Sequence, residues 1–364
     1  MGSSPALPTT GPTGRTRTRQ PNQARKAPMS HDQQTQTEFD FLPREAEDVG
    51  HTGPLPSVRR ETVSTSDGDV SALVWGDTAP EVVFLHGAGL NAHTWDGTVL
   101  ALGVPAIALD LPGHGDSAWR DDADYRPSTI ATAAAEAATA LLAESTELDD
   151  ASAGSAASGD AASSSAGVVL VGQSLGGLTA SVIAASHPRV LAAGVIDEQA
   201  PALVRALVIV DISPGLDAST GASQVRDFLA GPADFGSRDE IVDRAIAFGF
   251  GPTRDDVSRG VFLNTRVKDD GRVIWKHHFA NLGGLAPIAA TSFAPIWDDL
   301  AQVTVPVLLI AGTRGVLSDE QRAEFQERLP EATVVTIESG HNIQEDAPVA
   351  LADTIRDFIG GLPV

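Results

Sequence analysis

A serine between glycines, in Gly172-Gln-Ser-Leu-Gly176, constrains the fold of this chain more than any other stretch. It follows the apolar run 168–171 and precedes a helix-like run, 175–186. The small flanking residues allow a tight strand-to-helix turn that lifts the serine hydroxyl clear of a sheet. The turn also leaves the amide of Leu175 free at a helix N-terminus, where it can bind an oxyanion. The motif predicts Ser174 as a nucleophile, with an incidental serine in an ordinary turn as the alternative.

Short apolar runs alternate with helix-like windows along most of the chain. The predicted strands span 70–75, 82–85, 104–109, 168–171, 207–210, 305–310 and 333–337. The predicted helices span 128–144, 175–186, 319–329 and 348–359. From Val82 onward the strands have almost no polar alternation, as is typical of strands covered on both faces. The pattern predicts an α/β fold with a doubly wound, mostly parallel sheet.

Three segments lie outside this alternation. Residues 1–56 are rich in Pro, Gly, Thr, Gln and Arg and are predicted to form a disordered tail. Residues 145–166 are mostly Ala, Ser, Gly and Asp, which predicts a mobile low-complexity insertion because burial cannot offset their ordering entropy. Residues 213–300 predict a helical cap, inserted after the sixth strand and over the carboxyl edge of the sheet. The core would then comprise 57–212 and 301–364.

Two further motifs lie where a serine nucleophile needs partners. His86-Gly-Ala-Gly89 follows the strand 82–85, so its turn can present the amide of Ala88 to the same oxyanion, or be an ordinary strand-end turn. Ser339-Gly-His341 follows the last predicted strand. Because a serine hydroxyl is a weak nucleophile until a base removes its proton, His341 is predicted as that base.

The acid that would orient His341 has two candidates. The loop after the strand 305–310 has no acid in its first positions, and Asp319 comes late, at the start of a predicted helix. A carboxylate there is also favoured by the helix dipole for structural reasons alone. Asp211 instead ends the preceding strand, at the carboxyl edge where the cap departs. The sequence favours Asp211 and leaves Asp319 open, and either could be a structural carboxylate.

The composition argues against several classes of partner and cofactor. A formal charge of −23 opposes general polyanion binding, so we expect no nucleic acid partner. The absence of cysteine excludes disulfides, thiolate zinc sites and cysteine nucleophiles. His277 and His278 are adjacent and point in different directions, which makes them a poor metal pair, and we expect neither a metal nor a cofactor.

The beginning of the chain has no apolar stretch long enough for a signal peptide or a membrane helix. This predicts a cytoplasmic protein that does not bind membranes. The sequence does not indicate an oligomeric state.

Four motifs in order resemble the α/β-hydrolase fold superfamily. They are His86-Gly-Ala-Gly89, Asp110-Leu-Pro-Gly-His-Gly-Asp-Ser117, Gly172-Gln-Ser-Leu-Gly-Gly177 and Gly340-His341. The resemblance extends from about residue 58 to the C-terminus and is greatest to small bacterial esterases, lactonases and cofactor-free haloperoxidase-like enzymes. It implies Ser174 as nucleophile, His341 as base, and Ala88 and Leu175 as oxyanion donors. The missing acid soon after Gly312 departs from the commonest pattern of the family.

Together these features predict a serine hydrolase that cleaves a small carboxylic ester, thioester or lactone through an acyl-enzyme on Ser174. An alternative is that the same residues catalyse carbon-carbon bond hydrolysis or perhydrolysis. The side chains of the cap would determine which of these reactions takes place. A small-molecule sensor with little turnover is a second alternative, because a fold does not fix a function.

Overall fold

The computed structural model describes residues 36–153, 167–186, 204–216, 227–228, 230–251, 253–284 and 292–362. A compact unit spans Glu38–Val364. The strands in its described part are β1 (Val58–Thr65), β2 (Gly68–Trp75), β3 (Val82–Leu85), β4 (Ala106–Leu109), β5 (Val168–Gln173), β6 (Val204–Val210), β7 (Asp234–Phe235), β8 (Thr265–Val267), β9 (Val273–Trp275), β10 (Val307–Gly312) and β11 (Thr333–Ile337).

The α-helices in the same residues are α1 (Leu42–Asp48), α2 (Asp96–Leu102), α3 (Pro127–Ala153), α4 (Leu175–Ser186), α5 (Arg238–Ala247), α6 (Arg254–Leu263), α7 (Ile296–Leu300), α8 (Asp319–Arg328), α9 (Ile343–Asp346) and α10 (Pro348–Gly360). Short 3₁₀ turns span Glu38–Phe41, Ala92–Trp95 and His278–Asn281.

Eight strands form the main sheet, in the order β1-β2-β4-β3-β5-β6-β10-β11. Only β2 runs against its neighbours, since it is antiparallel to both β1 and β4 while the other pairs are parallel. The predicted doubly wound, mostly parallel sheet is therefore confirmed. The parallel order also brings the carboxyl ends of β3, β5, β6 and β10 to one edge, which is where ligands bind in such sheets.

Alternate side chains of the central strands point into two separate apolar layers. Val83, Leu85, Leu170 and Ile209 belong to the layer that α3 and α4 cover. The residues next to them in sequence point into the other layer, which α1, α2 and α10 cover. These residues include Val82, Phe84, Val169, Val171 and Val208. Burial on both faces explains why these strands have almost no polar residues.

The N-terminal part of the described chain is folded. A 3₁₀ turn at Glu38–Phe41 leads into α1, in which Leu42 is 4% and Ala46 7% exposed, against the α2 and α10 side of the sheet. The predicted disordered tail over 1–56 is therefore wrong for residues 38–48, because two apolar residues one turn apart bury together there. Residues 1–35 lie outside the described residues.

Charged groups fix this segment to the sheet. Glu38 accepts hydrogen bonds from Arg60 on β1, and Arg60 donates at 2.7 Å to Asp110, which is fully buried after β4. His93 lies between Glu38 and the buried Asp96, at 3.2 Å and 2.8 Å. Burial alone would lower the pKa of His93, but Asp96 and Glu38 raise it to about 9. His93 is therefore a cation at neutral pH and part of a buried ion network.

Helix α3 is longer than the sequence predicts. It continues to Ala153, so the predicted low-complexity insertion at 145–166 begins inside the helix. Alanine and serine can extend an existing helix at little cost, although they supply no apolar surface for burial. Residues 154–166 lie outside the described residues. No helix of the described chain is both long and apolar enough to cross a bilayer.

The segment after β6 contains the expected helices together with a small sheet that the sequence does not predict. Helices α5 and α6 pack with a three-stranded sheet of order β7-β9-β8 around a separate apolar cluster that includes Ile241, Val261 and Trp275. Helix α7 falls within the predicted cap range, 213–300, but its side chains join the layer formed with α4. The division into a core of 57–212 and 301–364 and a cap of 213–300 stays a prediction.

Leu42 provides a test of the N-terminal correction. We expect Leu42→Ala to lower the free energy of unfolding by about 2–5 kcal/mol, because it removes a buried leucine and leaves a cavity. Leu55 lies in the same predicted tail but is 41% exposed, so Leu55→Ala should change that free energy by no more than about 0.5 kcal/mol. Urea unfolding of the two variants and the parent measures both values, and equal stability of the two variants would contradict the packing of α1.

Candidate active site

The turn between β5 and α4 has a strained backbone at Ser174. Ser174 has a φ of 52°, in the left-handed region that non-glycine residues seldom adopt. The turn is held by backbone bonds on both sides, since Ser174 N donates to Val210 O at 3.1 Å and Leu178 N donates to Ser174 O at 3.1 Å. Strain of this kind persists only where the surroundings enforce it, and it is characteristic of functional sites.

The glycines of the motif are required by close packing. A Cβ on Gly172 would lie 2.2 Å from Gly176 O, and a Cβ on Gly176 would lie 2.1 Å from Leu85 O at the end of β3. No side chain fits at either distance. The first turn of α4 therefore lies directly against the ends of β5 and β3.

The two predicted oxyanion donors, Ala88 and Leu175, lie on segments that adjoin Ser174. Leu175 begins α4, so its amide has no acceptor one turn earlier in the helix. Ala88 lies in the turn after β3, closed by a bond from Leu90 N to Gly87 O at 3.2 Å. A Cβ on Gly87 would lie 3.3 Å from Ser174 Cβ, so this turn runs alongside the serine.

Asp211 and His341 are hydrogen bonded to each other. His341 Nδ1 lies 2.7 Å from Asp211 Oδ2; the Asp211 side chain is fully buried and that of His341 is 23% exposed. Asp211 follows β6 with a φ of 49°, and its amide donates to Ile310 O at 2.7 Å. Because the carboxylate faces Nδ1, that nitrogen carries the proton and donates it, which leaves the lone pair on Nε2.

The loop after β10 wraps around the Asp211 carboxylate. Gly312 N donates to Oδ1 at 2.9 Å and Val316 N donates to Oδ2 at 2.8 Å. A Cβ on Gly315 would lie 2.2 Å from Oδ1, so only glycine permits so close a loop. Asp319 instead begins α8, with its side chain 88% exposed and paired with Arg322. The structure thus places Asp211, and not Asp319, beside His341.

Gln173 also contacts His341, a contact that the sequence does not predict. Gln173 Nε2 lies 3.2 Å from His341 Nε2, 3.2 Å from His341 O and 3.4 Å from Asn342 Oδ1. In the described residues, the polar contact of His341 Nε2 is therefore with Gln173 rather than with the Ser174 hydroxyl. The sequence gives no signal for this contact, because the position before the serine is variable in the motif.

His86 and His114 lie under the turn after β3 as neutral, buried groups. His86 Nε2 accepts a bond from Leu111 N at 2.9 Å, and its Nδ1 lies 2.8 Å from Gly87 O. Burial lowers the pKa of His86 to about 4 and that of His114 to about 3. Both imidazoles are uncharged at neutral pH, and His86 has a structural role in shaping the turn.

The segment after β6 meets this edge through polar contacts. Asn91 donates to Leu263 O at 3.1 Å and to Asn264 Oδ1 at 2.8 Å. His278 N donates to Gly113 O at 2.8 Å.

The imidazole of His277, the residue before His278, is buried without a polar partner. His277 is 1% exposed, with no hydrogen-bond partner on either ring nitrogen in the described chain. Burial lowers the pKa of His277 to about 3, so this imidazole is neutral. Within the same residues, no group of three or more His, Asp or Glu side chains is arranged to hold a metal ion.

Comparison with known proteins gives consistent matches. Residues 82–354 match the model of the alpha/beta hydrolase family. Esterase Rv0045c of Mycobacterium tuberculosis is 36% identical over 88% of this chain and 95% of its own length. A solved structure of that esterase covers 90% of this chain and 99% of its own, with a TM-score of 0.67 at 33% identity. The pimeloyl-[acyl-carrier protein] methyl ester esterase of Aeromonas hydrophila is 27% identical over 77% of this chain and 96% of its own length.

The packing of the elbow predicts opposite effects for two glycine substitutions. We expect Gly176→Ala to lower the free energy of unfolding by about 1–3 kcal/mol or more, because its methyl group would overlap Leu85 O. Gly260, in the middle of α6, has open space where a methyl group would lie, so Gly260→Ala should raise that free energy by about 0.5–1 kcal/mol. Thermal and urea unfolding report both, and a stable Gly176→Ala protein would contradict the described elbow.

Proposed function

Since the chain belongs to the alpha/beta hydrolase family, we propose that it is a serine hydrolase that cleaves a small carboxylic ester, thioester or lactone through an acyl-enzyme on Ser174. Its enzyme class is that of a carboxylic ester hydrolase. The observation that carries the proposal is the Asp211–His341 hydrogen bond of 2.7 Å at the sheet edge where Ser174 emerges. The two esterases described above support an ester substrate over the carbon-carbon bond and perhydrolysis alternatives.

In the first half-reaction, His341 Nε2 takes the proton of the Ser174 hydroxyl, and the Oγ lone pair attacks the substrate carbonyl carbon. The carbonyl π electrons move to oxygen, where the amides of Ala88 and Leu175 donate hydrogen bonds to the oxyanion. The buried Asp211 carboxylate stabilises the imidazolium that forms. Collapse of the tetrahedral intermediate expels the alcohol, which takes the proton from Nε2, and leaves an acyl group on Oγ.

In the second half-reaction, water enters the site of the departed alcohol. His341 Nε2 removes one of its protons while the water oxygen attacks the acyl carbon. The same two amides bind the second oxyanion. Collapse then breaks the bond to Ser174 Oγ, which recovers its proton from His341, and the carboxylic acid leaves.

The enzyme is further proposed to act in the cytoplasm on a small molecule, without nucleic acid or membrane partners. The net charge of −23 supports the absence of a polyanionic partner, because an acidic surface repels phosphate groups.

A series of p-nitrophenyl esters of increasing acyl length tests the nucleophile. We expect the parent protein to hydrolyse at least the short esters and Ser174→Ala to lose turnover by roughly 10⁶-fold. Ser181 lies on the same helix, is also buried and donates to Gly177 O at 2.8 Å, so Ser181→Ala serves as the matched control with parental turnover. An organophosphonate probe should label the parent and the control but not Ser174→Ala. Appreciable turnover by Ser174→Ala would refute the acyl-enzyme.

A second pair of variants tests the acid. Asp211→Asn should lower kcat by about 10⁴-fold, because an amide in place of the carboxylate favours the wrong imidazole tautomer and cannot stabilise the imidazolium. Asp319→Asn should keep parental kcat, since its side chain is 88% exposed and lies on α8. Steady-state kinetics with the best ester, together with circular dichroism of each variant, provide the measurement. A larger loss in Asp319→Asn than in Asp211→Asn would overturn the assignment.

A further inference from the structure

Gln173 ends β5, directly before Ser174, and its side chain is fully buried. The mechanism above does not use it. Its carboxamide nitrogen nevertheless lies within 3.2 Å of the base nitrogen, His341 Nε2, and at the same distance from the backbone oxygen of the same residue. A third acceptor, Asn342 Oδ1, lies 3.4 Å away.

The surrounding acceptors fix the orientation of this carboxamide. Turned over, it would bring its oxygen against His341 O and Asn342 Oδ1, two groups that cannot donate in that arrangement. With the nitrogen in place, both amide hydrogens have acceptors. The oxygen Oε1 then faces the turn after β3, where it has no hydrogen-bond partner within the described chain. A Cβ on Gly87 would lie 2.1 Å from Oε1, so a side chain at residue 87 would displace the Gln173 carboxamide from this position.

The direction of the hydrogen bond to His341 follows from Asp211. Because Nδ1 donates its proton to the Asp211 carboxylate, Nε2 is the acceptor nitrogen of the neutral ring. An N–H of Gln173 therefore donates to Nε2. This bond exists only while Nε2 is unprotonated, so it stabilises the neutral form of the base against the imidazolium.

We propose that Gln173 is a positioning residue for the base. It holds the His341 ring with the lone pair of Nε2 facing the elbow, and it releases Nε2 when the Ser174 hydroxyl donates there. As the Ser174 Oγ–H bond breaks and the Nε2–H bond forms, Gln173 keeps its bonds to His341 O and Asn342 Oδ1, so the loop does not lose its anchor. The kinetic consequences rest on the proposed function, whereas the effect on the imidazole does not.

Two substitutions separate this role from simple packing. Gln173→Met keeps the length of the side chain but cannot donate, and Gln173→Glu places a carboxylate beside Nε2, which favours the imidazolium. Gln344 supplies the matched control, because it is also a buried glutamine near His341 in sequence, donates to Thr94 Oγ1 at 3.1 Å and has an unpartnered Oε1. Gln344→Glu therefore adds the same charge near the loop without contacting the imidazole.

The first readout is an NMR titration of the His341 ring nitrogens, assigned by comparison with His341→Ala. We expect the titration midpoint to rise by a few tenths of a unit to about one unit in Gln173→Met. In Gln173→Glu the rise should be roughly one unit or more. Gln344→Glu should lie close to the parent. Parental midpoints in both Gln173 variants, or a lower midpoint in Gln173→Met, would overturn the proposal.

The second readout is the pH dependence of kcat/KM on a p-nitrophenyl ester. The acid limb should move to higher pH in the same order, parent, Gln173→Met, Gln173→Glu. At the pH optimum, kcat of Gln173→Met should fall by about 2- to 10-fold with little change in KM, because only the positioning of the base is altered. A parent protein without turnover would refute the proposed function alone, since the NMR ordering tests Gln173 without turnover. If Gln173→Glu fails to fold, the titration midpoint and the acid limb of Gln173→Met, compared with those of the parent, still test the proposal.

Discussion

The buried carboxylate of Asp211 is the group around which the rest of the site is arranged. It accepts hydrogen bonds from Gly312 N and Val316 N, at the end of β10 and in the loop that follows it, and from His341 Nδ1, in the loop after β11. Burying a carboxylate without such partners would cost free energy of folding, so the Asp211 side chain requires these donors. Soon after β10, where the commonest pattern of the family has an acid, the backbone amides of Gly312 and Val316 donate to Asp211. Asp211 follows β6, which pairs with β10, so this loop lies beside its carboxylate.

The same close packing holds Ser174, the proposed nucleophile. Ser174 and Asp211 are two of the three non-glycine residues with positive φ in the described chain, and they end adjacent parallel strands, β5 and β6. Ser174 N donates to Val210 O and Asp211 N donates to Ile310 O, so each strained residue is bonded to the next strand of the sheet. The strained conformations are therefore held by the sheet order β5-β6-β10, which also sets the spacing between Ser174 and Asp211.

Residues with a local physical signature could be predicted from the sequence, and those defined by a distant contact could not. The elbow glycines, the two-faced strands and α4, α8 and α10 follow from periodicity and turn chemistry. Asp211 could be favoured because it ends a strand, but the loop amides that bind it leave no mark in the sequence. Helix α1 could not be predicted because its two buried residues are separated from the sheet by a polar stretch, and its ionic partners on α6 are distant in sequence. The role of Gln173 could not be predicted because its partner, His341, is equally remote.

The attachment of the segment after β6 depends on charge as well as on apolar packing. Arg259 of α6 lies 3.2 Å from Asp96 on α2 and 2.8 Å from Glu45 on α1, so one cation joins three elements. Asp96 is fully buried, and His93 is its only other charged partner in the described residues. Moving α6 away from the sheet would leave Asp96 with a single counter-ion in a low-dielectric setting, which is unfavourable. This edge of the segment is therefore fixed to the core, and α1 becomes part of the support of the site even though it lies far from Ser174 in sequence.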